Sequence, residues 1–181
     1  MTEQEVREIV RNFTWEFWQN LTRMAGQMVP GADMDLSAKL PHEVWENPFP
    51  WMMEAQEWLV MARYGAGLAP DEDPYEIREI CQSMAEWLFS IPGTSAYSIP
   101  DEWAETPMGA LWAMAMIRVQ GDELITLTQA AEIAGVTVQA IAGRIDRSNL
   151  TAYINPASPG SQQGRRLVRR SDVEPEDKHG T

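Results

Sequence analysis

A chain of 181 residues with 44% hydrophobic content and eight Trp is long enough to bury a core and too apolar to be disordered, while its apolar runs fall far short of the ~18–20 residues that cross a bilayer. Fourteen Lys or Arg against 27 Asp or Glu leave a net charge of −13, and the acidic N-terminus is unlike a basic, apolar leader. The lone Cys81 excludes an internal disulfide and a multi-thiolate metal site within one chain, so a soluble, cytoplasmic protein is expected.

In chain order, the first predicted helix carries Val6, Ile9, Val10, Phe13, Phe17, Leu21, Met24 and Met28 at helical spacing. Thr2 and Glu5 precede it in the S/T-x-x-E arrangement that satisfies free amide hydrogens at a helix start. The second carries Trp51, Ala55, Trp58, Leu59 and Ala62, and stops at Gly65 and Gly67, where a helix terminates at little cost. The third opens with Asp73 and Pro74, a cap followed by a proline whose missing amide hydrogen is not needed, and continues with Ile77, Ile80, Cys81, Met84 and Leu88. The fourth opens the same way at Thr106 and Pro107 and runs through Met108, Leu111, Trp112, Ala115, Met116 and Val119. Pro30, Pro41, Pro48, Pro50, Pro70, Pro92 and Pro100 fall mostly between these segments as loop punctuation. Trp and Met stripes on helices read first as core, yet the aromatics of "PHEVWENPFPWMMEAQEW" lie on several faces. That surplus leaves a dimer interface or a ligand pocket open. The scattered acids read as a solvated face, with DNA mimicry as the sharper alternative.

Composition then changes at Gly121. All eight Trp and all eleven Met lie before it, and Tyr153 is the only aromatic after it. Residues 1–121 carry seven basic against nineteen acidic residues, giving −12, whereas 126–171 carry six Arg against Glu132 and Asp146, giving +4. Four of the fourteen basic residues stand within six positions, Arg165, Arg166, Arg169 and Arg170. This divides the chain into an acidic Trp- and Met-rich helical domain (1–121), a small basic domain (122–174) and a polar tail (175–181).

In the basic domain, Thr126 and Gln129 form a capping pair for a short helix with Ala130, Ala131 and Ile133. Gly135 supplies a tight turn at positive φ, and Thr137 caps a second helix. Small Ala131 allows close crossing, while Val136, Ile141 and Ile145 supply the apolar contacts. A strand from Leu150 to Ile154, the turn-forming loop "INPASPGSQQG" and a returning strand Arg166 to Arg170 make a β-hairpin with Gln162, Gln163, Gly164 and Arg165 at its tip. Alternation puts Arg166, Val168 and Arg170 on one face and Leu167 and Arg169 on the other, with Val168 in the core. The expected fold is mainly α: an acidic N-terminal helical domain followed by a small winged helix-turn-helix domain with a β-hairpin wing.

The stretches "TLTQAAEIAGVTVQAIAGRIDRSNLTAY" and "GRRLVRRSDVE" resemble the excisionase and MerR-like winged helix-turn-helix modules of bacteria and phages, over 122–174 only. The pattern departs at Ser148 and Asn149, where the first position is usually Gly, though Asn tolerates the left-handed conformation. It departs again at Gly143 and Arg144, where larger and apolar residues are common. The resemblance implies a cytoplasmic DNA-binding protein acting as a dimer or in arrays.

Duplex DNA is thus the expected partner, and local guanidinium groups are the means of approaching a polyanion from an acidic chain. Thr137, Gln139 and Ala140 are expected at base edges or phosphates, with Gln139 suited to pair adenine in two places. Arg144 and Arg147 are expected at the backbone one turn on, and Gln162, Gln163, Arg165, Arg166 and Arg169 on the wing, near a minor groove or phosphates. The alternative for Arg166, Arg169 and Arg170 is internal pairing with Asp172, Glu174 or the acidic domain. The leading functional reading is a sequence-specific transcriptional regulator or excisionase-like accessory factor, homodimeric, with a protein partner possible on the N-terminal domain. The second is an adaptor or antitoxin-like protein whose acidic helices bind a partner. An enzyme is not expected: His42 and His179 form no i, i+4 pair, no phosphate-cradling or nucleophile-turn motif occurs, and Glu54 and Glu57 lack the Glu-x-x-His of a di-metal site. No cofactor, metal or membrane is expected.

Overall fold

The computed structural model describes residues 1–28, 46–49, 52–90, 97–158, 164 and 166–174. Among the described residues, four helices come first: α1 (Glu3–Met28), α2 (Met53–Gly65), α3 (Pro74–Phe89) and α4 (Pro107–Val119), with a 3-10 helix (Asp101–Glu105) before the last. Pro48, Pro70 and Pro100 lie between them; Trp51, Pro30, Pro41, Pro50 and Pro92 lie outside the described residues. Among the described residues, no helix is long and apolar enough to cross a membrane.

The helix starts follow local chemistry. The Thr2 amide donates to Glu5 Oε2 at 2.6 Å while the Glu5 amide donates to Thr2 Oγ1 at 3.3 Å, which closes the reciprocal cap on α1. Asp73 accepts from the Tyr75 amide at 2.9 Å before Pro74, and Thr106 accepts from the Gly109 amide at 3.0 Å before Pro107. The apolar stripes then meet. Val6 and Val10 of α1, Trp58, Met61 and Ala62 of α2, Ile77, Cys81 and Met84 of α3, and Met108, Leu111 and Ala115 of α4 form one buried cluster. Phe13 sits 5.2 Å from the Trp58 ring and 5.5 Å from the Trp103 ring, and Phe17 is 5.5 Å from Trp58, mostly edge to face as ring quadrupoles prefer. Burial pushes the Cys81 thiol up to about 12, and its backbone carbonyl accepts the Trp112 indole N–H at 2.9 Å. Of the described tryptophans, Trp58 is thus core, and Trp103 and Trp112 pack half-buried against it. Leu21, expected on the core stripe, is exposed, as are Tyr75 and Trp87.

Gly65 does more than end a helix. A Cβ there would lie 2.4 Å from the Leu111 carbonyl oxygen, so the missing side chain is what lets α2 and α4 approach backbone to backbone. The left-handed residue of that turn is Gly67, at φ 75°. Arg118 donates to the Gly65 carbonyl at 3.1 Å, a cation at the carbonyl end of α2.

The rest of the chain comprises β1 (Leu124–Thr126), α5 (Leu127–Ala134), α6 (Val138–Asp146), β2 (Tyr153–Ile154) and β3 (Arg166–Arg169). The antiparallel sheet has the order β1-β3-β2, pairing Ile125 with Val168 and Tyr153 with Leu167. β1 is an element that the periodicity does not reveal, because three residues are too few to display alternation. Conversely, the strand expected from Leu150 to Ile154 is reduced to Tyr153–Ile154, and Leu150 is instead a buried anchor after α6. Thr126 and Gln129 form the complete capping box, Gly135 takes φ 64°, and the Thr137 hydroxyl accepts the Ala140 amide at 3.2 Å. The left-handed residue after α6 is Ser148, at φ 57°, in place of Asn149. A second, smaller buried cluster joins Ile125, Leu127, Ala130, Ala131, Ile141, Leu150, Val168 and Val173. Val136 is exposed, contrary to its expected packing role, because the turn at Gly135 leads it out of the helix crossing. Leu167 and Val168 are both buried, since β3 is the central strand and is covered on both faces.

Candidate nucleic-acid interface

Helix α6 has three sides. At 100° per residue, Val138, Ile141 and Ile145 share the inner side, and Ile141 is fully buried. Ala140, Gly143, Arg144 and Arg147 cluster within about 100° on a second side, with the capping Thr137 at its upper end. Ala140, Arg144 and Arg147 are exposed; Arg147 lays its guanidinium over Gly143, where an added Cβ would stand 3.4 Å from its Nη1. Among the described residues, neither Arg144 nor Arg147 enters an ion pair. No acid shares that side: the only carboxylate of α6, Asp146, lies about 100° round the axis from Arg147 and about 160° from Arg144.

Gln139 belongs to the third side. It is exposed, but it turns with Ala142 and Asp146 toward a groove of about 590 Å³ whose other walls include Tyr153, Arg166 and Glu105. The expected base-reading set is thus split between two sides of one helix.

Among the described residues of the hairpin, Arg166, Arg169 and Arg170 have internal partners. Arg166 Nη1 lies 3.1 Å from Asp146 Oδ1, which joins β3 to α6. Arg169 is half-buried, donates to the Tyr153 hydroxyl at 3.1 Å and lies 5.9 Å above that ring. Arg170 bridges Glu174 at 2.5 Å and Glu123 at 2.7 Å; these hydrogen bonds, Glu174 first, hold its proton more tightly than usual. Gln162, Gln163 and Arg165 lie outside the described residues. The Asn155 side-chain amide donates to the Gly164 carbonyl at 2.9 Å, and its Oδ1 accepts the Ala157 amide at 3.0 Å.

Asp122 fastens the residues before β1 to those after β3. Its carboxylate accepts the Ser171 hydroxyl at 2.6 Å, the Glu123 amide at 2.8 Å and the Ser171 amide at 3.3 Å. Partial burial pushes the carboxyl upward, but the Ser171 hydroxyl, the two amides and the charge of Arg169 together hold it below its ordinary value of 3.8. A cleft of about 810 Å³ beside it, reached by Arg118, Arg169 and Arg170, is larger than the α6 groove. Its cations already serve the Gly65 carbonyl, Tyr153 and the two glutamates.

Sequence reasoning missed Glu105 and the Asp146–Arg166 pair as parts of the site, and no local signal marks them: twenty residues separate one pair, and Glu105 lies on the other side of Gly121. No family model, curated protein or solved structure matches this chain.

Proposed function

We propose that residues 122–174 form a winged helix-turn-helix module that binds duplex DNA, in a transcriptional regulator or an excisionase-like accessory factor. The observation that carries this reading is the acid-free side of α6, where Thr137, Ala140, Arg144 and Arg147 stand exposed and the two arginines have no carboxylate partner among the described residues. A helix with short side chains at Ala140 and Gly143 can approach the floor of the major groove while the arginines reach phosphates one turn along. The Thr137 hydroxyl, already accepting the Ala140 amide, keeps its own proton to donate. Gln139 reads a base only from the edge of the groove, so phosphate contact outweighs base contact in this reading.

Fluorescence anisotropy of the full chain on a labelled duplex across a salt series tests this. About four to six phosphate contacts predict a log-log slope near −4 to −5, and Arg144→Ala with Arg147→Ala lowers its magnitude by about 2. Duplex affinity that ignores salt, or ignores the double substitution, rejects the reading.

A second reading rests on Tyr75 and Trp87, which are 66% and 56% exposed on α3. Amphipathic aromatics left in solvent suit a protein partner on the acidic helices. Trp87→Ala that abolishes a co-purifying complex while leaving duplex affinity intact is the outcome that favours it.

A further inference from the structure

The groove beside Gln139 is bordered by both parts of the molecule. The 3-10 helix packs against β2, and its last residue, Glu105, is an exposed lining residue opposite α6. Asp146 lines the same groove from α6 and is bound to Arg166 of β3 at 3.1 Å. Among the described residues that line the groove, Arg166 is the one cation, against two carboxylates, Glu105 and Asp146. A phosphate backbone lying between α6 and β3 would meet these two carboxylates, with Arg166 already held by one of them.

We propose that Glu105 and Asp146 form an acidic brake on duplex binding: Asp146 holds Arg166 away from phosphate, and Glu105 carries the charge of the N-terminal helices to the groove's edge. This deepens the DNA-binding reading and rests on it. The side chains of Arg166 and Asp146 are 45% and 66% exposed, and a pair so open to water is weak. It yields to a phosphate without unfolding anything, so the device tunes affinity and does not abolish it. Glu105 works through space, so its effect fades as salt shortens the screening length from ~10 Å at 0.1 M. Because Glu105 belongs to the helical part, any event that draws the 3-10 helix off β2 releases half of the brake.

The experiment compares the full-length wild type with Glu105→Gln, Asp146→Asn and the double variant, on one labelled duplex at low and high salt, with thermal melts to show that each remains folded. Each single change should tighten binding about threefold at low salt and the pair about tenfold, by removal of like charge beside phosphate. Asp146→Asn should also steepen the salt slope by about 1, as Arg166 takes a phosphate, and Arg166→Ala should cancel that gain. Equal or weaker binding by the folded double variant overturns the brake while leaving the DNA reading in place, because the wild type still binds. Absence of duplex binding by the wild type and by the double variant overturns both.

Discussion

The two halves of this chain are held together by different physics. Residues before Gly121 bury Trp58, Met61, Met84, Met108 and Leu111 around an edge-to-face network of rings. Among the described residues after it, the buried side chains are aliphatic, such as Ile141, Leu150 and Val168, and polar ties join them: the Thr126–Gln129 box, the Thr137 cap, Asp122 on Ser171, and Arg170 between Glu123 and Glu174. A small core leaves hydrogen bonds and ion pairs to define the shape, since little apolar area is available to do so. Hence some of the arginines that composition alone would assign to DNA are already employed in the fold.

Substitutions can break this contrast, beginning with the largest effect. Trp58→Ala removes a ring 3% exposed and packed on Phe13 and Phe17, and should cost about 3–5 kcal/mol, read by chemical denaturation as loss of the aromatic near-ultraviolet signal. Ile141→Ala should cost about 2–4 kcal/mol but act on the smaller cluster, so duplex binding should fail at a temperature where the tryptophan signal is still native. If both probes fall together, the clusters are one cooperative unit and the contrast is wrong.

Asp122→Asn is a gentler probe of the polar ties, worth about 1 kcal/mol at neutral pH through the weakened Ser171 bonds. The folded carboxyl is held below its ordinary value of 3.8, so the tie is present above about pH 4 and is lost as pH falls through the depressed value. Wild type and variant should therefore converge in stability under acid, and a gap that widens there contradicts the assignment. Smallest of all, Gly143→Ala should stabilise α6 by about 0.5–1 kcal/mol, because the new Cβ meets only the movable Arg147 guanidinium at 3.4 Å. Higher melting with weaker duplex affinity would place DNA against that side of the helix.

The division between what was legible early and what was not follows the range of each interaction. Thr2 with Glu5, Asp73 with Pro74, Thr106 with Pro107, Thr126 with Gln129 and Thr137 with Ala140 all act within a few residues, so residue type and spacing were enough to locate the helix starts and the turn at Gly135. The stripes were legible for the same reason, although Leu21 and Val136 show that periodicity names a side of a helix without saying that a neighbour covers it. The close approach at Gly65 and the three-residue β1 needed partners far along the chain.

For the candidate site, the sequence by itself determined that a basic segment with two short capped helices and a returning strand follows an acidic helical one. Tertiary structure alone decided which guanidinium groups remain available. Arg166 meets Asp146 twenty positions away and Arg170 meets Glu123 forty-seven positions away, whereas Arg144 and Arg147 project from a side of α6 that carries no acid. Charge is a property of composition, but its availability depends on which opposite charge the fold brings within a few ångströms.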